Sequence, residues 1–185
     1  MKKNLLILLT ILAISFAIYK SYLNDKNMKP VDYKNTEPII KIEEYFEGEV
    51  KAWGILQNRK GKVTRQFKAD MEGKFENNIL TLEEYFYWKD GEKQKRIWKI
   101  EKIDENNYIG TAPDVVGKAR GVSYGIAFKF EYNLMIPFKG RSIKIRFDDW
   151  IFKQDDSVAI NRATLSKFGF KVGELTVFFK KINLN

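Results

Sequence analysis

Between Val122 and Ile136 the chain alternates with a period of two. Val122, Tyr124, Ile126, Phe128, Phe130, Tyr132, Leu134 and Ile136 are apolar or aromatic, and Ser123, Gly125, Ala127, Lys129, Glu131, Asn133 and Met135 fall between them. Successive strand side chains point to opposite faces, so the pattern predicts one strand with a dry face and a wet face. At about 3.3 Å per residue it would run roughly 50 Å if straight, well past ordinary strand length, so it is expected to bend or coil. A strongly curved strand with one apolar face is the wall of a barrel.

The rest of the body reads as a meander of strands beginning near Ile39. A first strand from about Tyr45 to Gln57 puts Phe46, Gly48, Val50, Ala52, Gly54 and Leu56 on one face and Trp53 on the other. After the Asn58–Gly61 turn, Arg65 interrupts an otherwise apolar face of Val63, Phe67, Ala69 and Met71. Asp90-Gly91, between Ile79–Lys89 and Glu92–Ile103, is a strong hairpin signal. Pairing Leu82 with Ile100, Glu84 with Trp98 and Phe86 with Arg96 keeps apolar residues together and leaves two charges, Glu84 and Arg96, on that face. Tyr108–Pro113 is a short strand, and Asp114–Gly121 a glycine-rich connection or single helical turn. Ser142–Lys153 carries Asp149 among Ile143, Ile145, Phe147 and Ile151, and two further runs end the chain at Val158–Leu165 and near Ile182. Eight or nine antiparallel strands are expected, enough to close a small all-β barrel able to hold one ligand.

The chain contains neither Cys nor His. Thiol nucleophiles, disulfides and imidazole bases are therefore excluded, and any catalysis must run on carboxylates, Lys, Arg, Tyr or a bound cofactor. No catalytic residue, metal site or cofactor is assigned. The net charge of +9 is compatible with nucleic acid, an anionic membrane or a solvated Lys-rich surface.

The N-terminus decides among these. Lys2 and Lys3 precede an apolar run, Leu5–Tyr19, that ends at Lys20, the pattern of an export signal. The run is about 15 residues, short for a spanning helix, and the small residues Ser15 and Ala17 lie inside it. An uncleaved signal anchor is favoured, with a cleaved peptide and a secreted domain as the alternative. The body leaves the cytoplasm in both cases, which sets nucleic acid aside as a partner. Ser21–Pro38, polar and aperiodic with two prolines, reads as a linker. The expected organisation is helix 1–20, linker 21–38 and barrel 39–185.

Several phrases together resemble one bacterial family, that of domain of unknown function 3833: AWG at Ala52–Gly54, LEEYF at Leu82–Phe86, DGE at Asp90–Glu92, RIW at Arg96–Trp98, YIGTAPDVVGKARG at Tyr108–Gly121, FDDW at Phe147–Trp150 and SKFG at Ser166–Gly169. They occur in the family's order across Tyr45–Lys180. The resemblance implies a lipocalin-like β-barrel, exported and commonly lipid-anchored through an N-terminal cysteine. This chain lacks that cysteine, which favours an anchor helix on the periplasmic face of the bacterial inner membrane. The resemblance also implies a lipid context, since relatives are often encoded beside cyclopropane-fatty-acid-synthase-like enzymes. It supplies no catalytic residue.

The candidate site is the set of charges on core-facing positions, Arg65, Glu84, Arg96 and Asp149, with Phe86, Trp98, Phe130 and Tyr132 near them by register. A mostly apolar pocket with a few convergent polar groups grips an amphipathic ligand, and Arg suits a carboxylate or phosphate head. The competing reading is structural: Arg96 pairs with Glu84, and Arg65 or Arg162 with Asp149, because an unpaired buried charge costs several kcal/mol. Asp148 and Asp149 point to opposite faces and do not share a proton. Three functions are compatible with these residues: a membrane-tethered envelope barrel that binds a lipid-like amphipathic molecule; an enzyme that modifies such a lipid by carboxylate or cofactor chemistry; or a ligand-free scaffold whose protein partner the sequence does not name.

Overall fold

The computed structural model describes residues 2–25, 28–138 and 140–182. Ten antiparallel strands form a closed barrel: β1 Gly48–Asn58, β2 Val63–Glu76, β3 Ile79–Trp88, β4 Lys93–Lys102, β5 Asn107–Thr111, β6 Ala119–Tyr124, β7 Ala127–Phe138, β8 Arg141–Lys153, β9 Val158–Lys167 and β10 Phe170–Lys181. Each pairs with its sequence neighbours, and β1 pairs with β10 from Val50↔Lys181 to Asn58↔Gly173 to close the ring. Closure gives every strand a paired neighbour on both sides.

The ribbon expected as one curved strand is a hairpin, which is why ten strands form instead of eight or nine. Gly125 and Ile126 make a two-residue turn, with Tyr124 opposite Ala127, Ser123 opposite Phe128 and Gly121 opposite Phe130. Gly125 has φ +50°, and a Cβ there would lie 1.9 Å from the Tyr33 carbonyl oxygen, so only glycine fits. The turn also switches parity. The inward residues are even in β7, Phe128 to Leu134, but odd in β6, Ala119, Gly121 and Ser123. Val122 and Tyr124, expected on the dry face, are on the outer one.

The Asp90-Gly91 hairpin has a three-residue loop, because Trp88 N donates to Glu92 O (2.9 Å) and Gly91 N to Trp88 O (3.0 Å), with Gly91 at φ +91°. This is a type I turn closed by a residue in the left-handed region. It moves the pairing by two residues, to Leu82↔Trp98, Glu84↔Arg96 and Phe86↔Gln94. A two-residue slip preserves the faces, so the inward set is the expected one and only the partners differ.

One end of the barrel is plugged. Tyr45, expected in the first strand, belongs instead to a one-turn helix, α2 Ile42–Tyr45. Ile40, Ile42, Tyr45 and Phe46 are buried there, and the Tyr45 hydroxyl donates to Ser157 O (3.1 Å) and Phe179 O (3.3 Å). Glu43 is latched by Lys102 Nζ and by the Tyr108 hydroxyl, which donates at 2.9 Å. Part of the expected linker is also packed. A 3-10 helix, Pro30–Tyr33, sets the Tyr33 ring 5.6 Å from that of Phe152 and 6.2 Å from that of Trp150. Apolar rings outside the barrel recruit this segment as cover.

The N-terminal segment forms a helix, α1 Lys2–Asp25. Its described apolar side chains, from Leu6 to Phe16 and at Ile18, are exposed on every face. Among the described residues no helix is long and apolar enough to cross a membrane. The hydrophobic core among the described residues runs from Ile40 to Phe179. Core and strand pairings of the described residues both lie within residues 40–181.

Candidate functional site

Opposite the plug the barrel is hollow, with a cavity of about 520 Å³. Its floor is Ile42 and Phe46, its walls are aromatic and aliphatic, and its mouth lies among Leu56, Arg65, Trp88, Ile136 and Leu175. The aromatic wall is continuous: ring centroids of Trp98 and Phe130 are 5.1 Å apart, Trp98 and Tyr132 5.2 Å, and Tyr132 stacks on Phe147 at 5.2 Å. All eight candidate residues, Arg65, Glu84, Phe86, Arg96, Trp98, Phe130, Tyr132 and Asp149, line this cavity. The structure divides them between its depth and its mouth.

In the depth, cross-strand pairing sets Glu84 of β3 beside Arg96 of β4. The Arg96 Nη1 to Glu84 Oε2 distance is 3.6 Å, an ion pair without a hydrogen bond. The closer partner of Arg96 is Asp114: Nε donates at 3.1 and 3.2 Å and Nη2 at 2.7 Å, a forked contact. Asp149 is paired with neither Arg65 nor Arg162. It accepts a 2.6 Å hydrogen bond from the Tyr132 hydroxyl, while Arg162 points outward to Glu174. Asp148 faces the other way, 3.6 Å from Lys129.

At the mouth, Arg65 donates to Asp90 at 2.7 and 2.9 Å and to Glu92 at 2.8 Å, and its guanidinium carbon sits 3.8 Å above the Trp88 ring. The β3–β4 turn thus carries its own acids to the charge on β2.

Two members of the cluster were not anticipated. Asp114 comes from the irregular β5–β6 connection, held to β7 by Met135 N donating to Asp114 O (3.0 Å) and by the Val115↔Leu134 bridge. No periodicity marks such a residue. Asn161 is different, because it sits in phase with the inward Ala159, Ala163 and Leu165, and the period-two pattern of β9 is a signal that finds it.

Burial dominates the electrostatics. It pushes the Glu84 carboxyl up to about 7, against the pull of Arg96 and with Asp114 and Asp149 adding to the push. It likewise pushes Asp149 up to about 7, partly offset by Tyr132 and Asn161. Burial works against the charge on Arg96, but Glu84 and Asp114 outweigh it and hold the guanidinium above its usual range. Burial and the neighbouring Asp149 hold the Tyr132 phenol well above its own. Glu84 Oε2 and Asp149 Oδ1 are buried without a hydrogen-bond partner.

A closed antiparallel meander, sealed below and hollow above with aromatic walls, is a lipocalin-like barrel. The chain belongs to the family described as "Protein of unknown function (DUF3833)", whose model matches residues 22–181. No curated protein sequence is significantly similar to it. Among solved structures it is similar to a DUF3598-family protein of unknown function from Nostoc punctiforme, with a TM-score of 0.59 and 11% identity over 79% of this chain and 51% of that one. The chain therefore spans about half the length of the Nostoc protein. It is also similar to an S-type phycobiliprotein lyase from Guillardia theta, with a TM-score of 0.53 and 9% identity over 85% of this chain and all of that one. At these identities the likeness is one of fold.

Proposed function

We propose that the barrel binds one lipid-like amphipathic molecule, with its apolar body along the aromatic wall and its polar end at the Glu84, Arg96, Asp114 and Asp149 cluster. The observation that carries this reading is the cavity. Its roughly 520 Å³ lie within the range of small-molecule sites, and a few polar groups converge in an otherwise apolar pocket. A barrel serving only as a scaffold gains stability by filling its interior, because voids forfeit packing contacts. Exposed Phe168 and Phe170, on the turn at the open end, support a ligand that arrives from an apolar phase. The basic start and apolar run of α1 support an envelope location with this segment as a tether.

A second reading is favoured by one observation. Glu84 and Asp149, both pushed to about 7, line an open cavity, which is where a carboxyl acid or base working near neutrality belongs. On that reading the bound lipid is also modified.

Native mass spectrometry of the purified barrel, before and after lipid extraction, tests the binding proposal. A co-purifying species that disappears on extraction and rebinds is the expected result. Persistent absence of adducts across lipid classes would leave a scaffold.

A further inference from the structure

We infer that the deep end of the cavity selects a protonated amine head group and rejects a carboxylate or phosphate. This deepens the binding proposal above and rests on it. Arginine in an apolar pocket invites the opposite assignment, but the charge of Arg96 is already shared by two carboxyls. Its Nε and Nη2 are taken by Asp114 at 2.7 to 3.2 Å, and its Nη1 faces Glu84 at 3.6 Å.

Three carboxyls, Glu84, Asp114 and Asp149, surround this single guanidinium. Glu84 and Asp149 are only 7% and 6% exposed, and each keeps one buried oxygen with no donor. A buried acceptor without a donor is costly, more so when charged. An anionic head would add like charge to a cluster already rich in acid. An ammonium group supplies both the missing positive charge and the N–H donors that Glu84 Oε2 and Asp149 Oδ1 lack. The Trp98, Phe130 and Tyr132 rings beside them add favourable faces for a cation. Among the described residues no set of carboxylates is arranged to hold a metal ion.

The test is titration of the full chain with three probes of equal chain length, dodecylamine, dodecanol and dodecanoate, followed by intrinsic tryptophan fluorescence, to which Trp88 and Trp98 in the cavity wall contribute, and by calorimetry. At pH 8 dodecylamine is expected to bind at least about tenfold tighter than dodecanoate. That preference should shrink at pH 5.5, where Glu84 and Asp149 are protonated while the amine stays charged. It should be lost in Glu84→Gln and Asp149→Asn, isosteres whose folding is verified by circular dichroism and thermal melts. Equal or tighter binding of dodecanoate, or an amine preference that survives both substitutions, overturns the inference and leaves the binding proposal standing. No binding of any of the three overturns both.

Discussion

Tyr132 donates its hydroxyl to Asp149 Oδ2 across 2.6 Å, although the residue directly opposite Asp149 on β7 is Phe130. The bond is diagonal: the long Tyr side chain crosses one residue pair to reach a carboxylate that no cation approaches as a partner. Diagonal neighbours on one sheet face lie within reach of aromatic side chains, so the ladder makes this contact available and burial makes it necessary. It satisfies one Asp149 oxygen and leaves the other to the cavity.

Removing that donor should therefore cost stability in a pH-dependent way. Tyr132→Phe is expected to lower the unfolding free energy by about 1–3 kcal/mol at pH 8, where the buried carboxylate loses its hydrogen bond. The loss should be smaller at pH 5, where Asp149 is protonated. Urea midpoints at the two pH values check this, and an equal loss at both would show that the bond does not stabilise the ionised form.

Glu84 and Asp149 also impose a slope on stability against pH. Both have folded values near 7, above the ordinary carboxyl range. Between about pH 4 and 7 the folded state thus binds more protons than the unfolded chain, and the stability these groups contribute falls as pH rises through that window. The groups acting on them are Arg96, Asp114, Tyr132, Asn161, Trp98 and Asp148. Carboxyls held below their usual range, such as Glu43, where bonds from Lys102 and Tyr108 outweigh burial, act in the opposite direction. The informative quantity is therefore the difference between wild type and Asp149→Asn. This variant is expected to gain relative stability as pH increases from 4 to 7 and to hold it above 7.

Arg96 is the hinge of the charge cluster. Arg96→Leu leaves Asp114 and Glu84 without their cation and is expected to cost about 3–5 kcal/mol. Adding Glu84→Leu and Asp114→Leu should recover most of that loss, because well-packed apolar side chains replace a buried ionic group at little net cost. Thermal and urea melts of the single and triple variants decide the matter. A triple variant no better than the single one would show that the cluster contributes more than mutual neutralisation.

The β6–β7 hairpin depends on Gly125. Gly125→Ala combines φ +50° with a Cβ 1.9 Å from the Tyr33 carbonyl oxygen and is expected to cost about 1–3 kcal/mol. Hydrogen exchange should show loss of protection at Ile40 N, which donates to Gly125 O at 2.8 Å, and at Ile126 N, which donates to Thr36 Oγ1 at 3.0 Å. Unchanged protection at both would mean that the 33–40 segment does not clasp this turn.

Alternation of side chains is a local property, and the faces it assigns were legible in the chain. The inward parity of β2, β3, β4, β7 and β8 placed Arg65, Glu84, Arg96 and Asp149 on the core face, where all four line the cavity. The hairpin hidden at Gly125 was not legible, because Ile126 continues the even apolar series straight through the turn. Only the approach of Tyr33 and Thr36 shows why the chain reverses there. Asp114 escaped for the complementary reason, since its segment has no period to read.

The sequence by itself determined an all-β meander with one dry face and a few charges on it, because a two-residue period needs only neighbouring positions to be specified. The tertiary structure decided which charges meet. Turn geometry slid Glu84 from Trp98 to Arg96, the β5–β6 connection brought Asp114 to the guanidinium, and the β7–β8 register set Tyr132 on the diagonal to Asp149. Partnership across strands depends on turn length and register, and these set distances that no single stretch of chain encodes.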